Sequence, residues 1–114
     1  IWNATELGAA LKTFEEEGGD LNNAYHVAYP HWVDTRNIAI NAGHITWNNA
    51  VTDVSDIAAH ATRPGKKLYL VFPVDEVAIE QLRDVYPQGV MRLHESERPG
   101  KQFLTFQAPG AGDS

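Results

Sequence analysis

The sequence predicts an α/β domain of three layers, with a mainly parallel five-stranded sheet between two layers of helices. Three observations lead there. Apolar runs of strand length alternate with segments of helical periodicity, an order that favours crossovers between parallel strands. The run Leu68-Tyr-Leu-Val-Phe72 is unbroken and apolar, as a central strand covered on both faces requires. Two final apolar segments are separated by a polar stretch containing Pro99-Gly100, the pattern of a C-terminal antiparallel hairpin.

Residues 4–17 read as a helix because Leu7, Leu11 and Phe14 recur on one face, with Asn3 and Glu6 as a capping pair and Gly18-Gly19 as the stop. The first strand is Ala24–Tyr29, closed by Pro30. A short helix follows, with Asp34 as N-cap, Ile38 and Ala42 facing inward and Gly43 as terminator. A brief second strand is expected at Ile45–Trp47 and a third helix over about 54–62, ended by Pro64-Gly65. The third strand is Lys67–Pro73. The fourth helix starts at an Asp75 cap, turns Ile79, Leu82 and Val85-Tyr86 inward, and stops at Pro87–Gly89. Strands four and five are Val90–His94 and Gln102–Gln107. The very short connections around the fourth helix suggest that strands three and four are neighbours. The expected strand order is therefore 2-1-3-4-5, with strand five antiparallel at one edge. Residues 1–109 form the domain and the small, breaker-rich residues 110–114 a tail.

Composition removes several functional classes. The 114 residues contain no Cys, which excludes disulfide frameworks, thiolate nucleophiles and iron–sulfur clusters. A net charge of −6 with scattered basic residues argues against nucleic acid as a partner. No apolar run is long enough to span a bilayer. A Gly-x-Gly-x-x-Gly fingerprint, a phosphate-cradling Gly-x4-Gly-Lys-Ser/Thr loop and a Gly-x-Ser-x-Gly elbow are all missing, so no cofactor and no catalytic residue is assigned. His26 and His31 with Asp34 or Asp75 lack the spacing of a metal set, and no metal is expected.

Ligands of open α/β sheets sit beyond the carboxyl ends of the strands, where the strand order reverses. For the expected order, that point lies between strands one and three. Its loops are Tyr29-Pro-His-Trp-Val-Asp-Thr-Arg36 and Pro73-Val-Asp75. The candidate ligand-binding residues are accordingly Tyr29, His31, Trp32, Asp34, Thr35, Arg36 and Asp75. In the binding reading, Tyr29 and Trp32 stack on a sugar or lipid-linked group, Arg36 grips a phosphate or carboxylate, and His31 handles a proton. The plainer reading makes Asp34 and Asp75 helix caps, pairs Arg36 with one of them, and lays Trp32 on the sheet edge.

Gly18-Gly-Asp20, Ala24-Tyr-His-Val-Ala-Tyr-Pro-His-Trp-Val-Asp-Thr-Arg36, Ala42-Gly43, Pro73-Val-Asp75, Tyr86-Pro-Gln-Gly89 and Gly100-Lys-Gln-Phe-Leu104 carry a resemblance over residues 4–109. This pattern resembles the C-terminal soluble domain of bacterial polytopic membrane glycosyltransferases, the dolichyl-phosphate-mannose protein mannosyltransferase-like family. The resemblance implies a parent with many membrane spans, a polyprenyl-phosphate-linked sugar as donor, and a catalytic acid in an extracytoplasmic loop near the start of the membrane part, outside this chain. The domain would be an accessory module on the extracytoplasmic face, partnered by the membrane-embedded part and by glycan or lipid-linked sugar. Two rival readings are a free-standing small-ligand binder or enzyme with its cleft after strand one, and a protein-interaction domain with an exposed aromatic patch at Trp2, Trp32 or Trp47.

Overall fold

The computed structural model describes residues 4–95 and 101–110. Among the described residues four helices alternate with strands until two strands close the order: α1 Ala4–Glu16, β1 Ala24–Val27, α2 Thr35–Ala42, β2 Ala50–Val51, α3 Ile57–His60, β3 Lys67–Val71, α4 Glu76–Val85, β4 Val90–His94 and β5 Phe103–Ala108. Asn3, Trp2 and the Pro99-Gly100 turn of the expected hairpin lie outside the described residues. Gly110, assigned to the tail by sequence, is buried against the backbone of Gly65.

Helices cover both faces. Leu7, Leu11 and Phe14 of α1 and Ile38, Ala39 and Ala42 of α2 pack on Ala24, Leu68, Leu70 and Phe103. Ile57 of α3 and Ala78 and Leu82 of α4 pack on Tyr25, Val27, Tyr69, Val71, Leu104 and Phe106. Alternate residues of each strand serve opposite layers, as the period of two demands. Gly8 lets α1 lie close on α2: a Cβ there would stand 2.9 Å from backbone atoms of Asn41 and Ala42.

The sheet order is β2-β1-β3-β5-β4. This corrects the expected 2-1-3-4-5 order and the expectation of a mainly parallel sheet. β2, β1 and β3 pair parallel, whereas β3 with β5 and β5 with β4 pair antiparallel. The last two strands do form an antiparallel pair, but β5 is interior and β4 takes the edge. The reason is side-chain chemistry. β5 buries Phe103, Leu104, Thr105, Phe106 and Ala108, using both of its faces, while β4 carries Arg92 and leaves Val90 and Leu93 exposed. A strand that apolar belongs inside, and the amphipathic one suits the rim. Short loops around α4 do not prevent this. Ten helical residues rise about 15 Å, enough to pass over the one intervening strand, a gap of roughly 10 Å.

A second correction concerns β2, which falls at Ala50–Val51 and not at Ile45–Trp47. Trp47 turns inward, and its indole N–H donates to the carbonyls of Leu21 and Ala24 at 3.1 and 3.2 Å. Ile45 is 78% exposed, and the chain turns there through a hydrogen bond from the Trp47 N–H to the His44 carbonyl. That turn becomes a wall of the site described next.

Candidate functional site

β1 and β3 are neighbours, and their following helices leave to opposite faces, so the reversal point exists where sequence placed it. Aromatic rings close its mouth. A turn at Tyr29–Trp32, with Pro30 second and His31 third at φ 64°, folds the loop back over the strand ends. Tyr29 stacks on Phe72 with ring centroids 4.6 Å apart, Trp32 meets Phe72 edge-on at 5.3 Å, and Trp32 tilts over His26 at 4.8 Å.

The open space lies one step outward, on the flanks of α2. A cleft of about 660 Å³ runs between Asp34, Thr35, Arg36 and Ile40 on the helix side and Ile45, Thr46, Trp47, Asn48 and Ala50 on the other. A smaller one of about 400 Å³ lies between α1 and α2, lined by Trp32, Asp34, Asn37 and Asn41 among others. The seven sequence candidates therefore divide. Asp34, Thr35 and Arg36 come together on the larger cleft, and Trp32 with Asp34 borders the smaller. Tyr29, His31 and Asp75 line neither.

Local chemistry explains each position. Asp34 caps α2, its carboxylate accepting from the Asn37 N–H at 2.8 Å, and Gly43 closes the helix at φ 78°. Asp75 is buried and caps α4, accepting from the Ala78 N–H at 3.2 Å. Both carboxylates are caps, as the plainer reading held. Trp32 is buried, and so is Trp47, which removes them as parts of an exposed aromatic patch. Arg36 is exposed and, among the described residues, has no ion-pair partner.

Two arrangements escaped the sequence. His26 is 1% exposed, and its Nδ1 shares a hydrogen bond of 2.9 Å with Thr35 Oγ1, while its Nε2 has no partner among the described residues. Burial pushes its pKa down to about 4, against the smaller, opposite effect of the Asp34 carboxylate. A polar residue inside a parallel strand was the available signal, but nothing in a nine-residue separation announces the Thr35 contact. On the other face, Tyr69 hydroxyl joins Tyr86 hydroxyl at 2.8 Å and His60 Nδ1 at 3.0 Å, and Arg63 donates to the Tyr25 hydroxyl at 3.1 Å. Burial raises the pKa values of all three tyrosines, so their hydroxyls stay protonated at neutral pH, and burial lowers that of His60. A groove of about 330 Å³ between α1 and the β4–β5 face holds Glu6, Glu17, Arg92 and His94; there the His94 imidazole lies flat on Phe103 and bonds Thr105 at 2.8 Å.

Thr35 and His26 look like a nucleophile–base pair, but they lack its chemistry. Among the described residues no carboxylate hydrogen-bonds the other ring nitrogen, and burial, by lowering the imidazole pKa to about 4, weakens it as a base at neutral pH. Among the described residues no three of His, Asp and Glu gather as a metal set, and no helix is long and apolar enough to cross a membrane. Comparison with protein-family models, curated protein sequences and solved structures gives no match.

Proposed function

We propose that this chain is a non-catalytic accessory domain on the extracytoplasmic face of a membrane glycosyltransferase, holding a lipid-linked sugar phosphate against the membrane-embedded part. The observation that carries the reading is the make-up of the α2 cleft. Arg36 offers an uncommitted guanidinium, suited to bidentate contact with a phosphate. Asp34, Thr46 and Asn48 supply groups for sugar hydroxyls, and Ile40 and Ile45, 52% and 78% exposed, give the same rim an apolar strip for a prenyl chain. The family resemblance of residues 24–36 supplies the donor class, and the same resemblance implies a catalytic acid outside this chain.

Sugar transfer from a polyprenyl-phosphate donor, measured in membranes containing the full-length protein, tests this. Arg36→Ala is expected to raise the donor KM several-fold with kcat little changed, because a binding contact is removed and no reacting group is touched. Unchanged donor KM in that variant, and unchanged turnover after deletion of the domain, would refute the reading.

A further inference from the structure

The cleft and the buried histidine share one side chain. Thr35 lines the 660 Å³ cleft, and its hydroxyl is the single hydrogen-bond partner of the His26 ring among the described residues. We propose that His26 holds the cleft in shape through Thr35 and Trp32, and that a proton on His26 releases this hold, so that the cleft is formed near neutral pH and lost in mild acid. The second half rests on reading the cleft as a binding site; the first does not.

The geometry makes the imidazolium intolerable. A protonated ring needs two acceptors, whichever nitrogen carries the proton in the neutral form, and among the described residues only one oxygen is within hydrogen-bond reach. Its surroundings offer no rescue. The strand residues registered against it are Ala50 on β2 and Leu70 on β3, neither charged. Trp32 covers the ring, and Asp34 is the one charge felt there, already engaged as the α2 cap. A buried charge with an unpaired N–H must reach water or acquire a partner. The ring can do so only by leaving its slot under Trp32, which breaks the bond to Thr35. Thr35 opens α2 directly after the Asp34 cap, so the disturbance falls on the wall that carries Arg36. The Tyr69 network packs against the opposite face and has no part in this.

Nuclear magnetic resonance on the ligand-free domain, titrated from about pH 7 down to about pH 4, tests the first half. The Trp32 indole N–H and Thr35 amide are expected to move in one step with the His26 ring, at a midpoint below the ordinary histidine range. His26→Gln, polar and of similar reach but without a titrating ring, is expected to abolish that step. Should that variant fail to fold, the wild type still decides, because each histidine ring gives its own resonance and the His26 signal is followed separately. Trp32 and Thr35 signals that stay still while His26 titrates, or that follow another histidine, overturn the proposal. Calorimetric affinity for mannose 1-phosphate at the two ends of the range tests the second half. The wild type should lose affinity several-fold more than His26→Gln, which shares every other ionisation of protein and ligand and lacks only that of His26. An equal loss in both overturns the regulation. Absence of binding at neutral pH would instead refute the cleft as a sugar-phosphate site, and the ligand-free step would still decide what His26 does.

Discussion

His26 is the side chain that ties the site to pH. Its ring is buried with one nitrogen unsatisfied, and burial lowers its pKa from 6.5 to about 4. Between those values the unfolded chain binds a proton that the folded chain refuses. The stabilisation linked to His26 is therefore complete above pH 6.5 and is lost as pH falls toward 4, by up to roughly 3 kcal/mol. Urea denaturation at neutral pH and near pH 4 measures it, with His26→Gln as the reference that removes this contribution to the slope. Equal pH dependence in wild type and variant would contradict the assignment. Residues such as Asp34 and Asp75 were readable in advance, because a cap is local chemistry: a short acceptor followed three residues later by a helical N–H. His26 was not readable, since its state depends on Trp32 and Thr35 arriving from a loop that doubles back.

At the scale of elements, α2 matters most, because it carries one wall of each cleft beside it. Its position is set by its contact with α1, where Gly8 leaves room for only a hydrogen. In an exposed helix, Gly→Ala stabilises by about 1 kcal/mol. Here the added methyl would press on Asn41 and Ala42 backbone, so Gly8→Ala is expected to destabilise by about 1–3 kcal/mol and to shift α2 amide resonances. A stabilised Gly8→Ala protein would show that the helices can part at no cost. Helix periodicity located α1, α2 and α4 within a residue or two. The third helix is shorter than expected, because a tight turn at Val54–Asp56, capped by Asp53, precedes the four helical residues. The 45–48 segment misled because Ile-Thr-Trp has strand propensity. The indole hydrogen bonds of Trp47 outweighed it and produced the turn that walls the cleft.

For the whole molecule, the combination of helices and strands in one small α/β domain was legible, whereas the mixed, only partly parallel sheet and its strand order were not. Loop length suggested that β3 and β4 adjoin, whereas the apolar content of β5 decided which strand lies inside. Hydrogen exchange separates the two arrangements. β5, bonded on both sides, should exchange as slowly as β3, with β4 faster along its free edge; slow exchange at β4 with a fast outer edge on β5 would restore the sequence-based order. The reversal point between β1 and β3 survived the reordering, since both arrangements share that pair. Its aromatic plug did not follow from sequence, and it moved the usable space outward to α2.

The account stands on that outward cleft, and amide chemical shifts of the domain titrated with mannose 1-phosphate test it most directly. Shifts confined to residues 34–36 and 45–48, and lost in Arg36→Ala while the fold is kept, are the result expected. Shifts that appear instead in the Arg92–His94 groove, or none at any concentration reached, would contradict it.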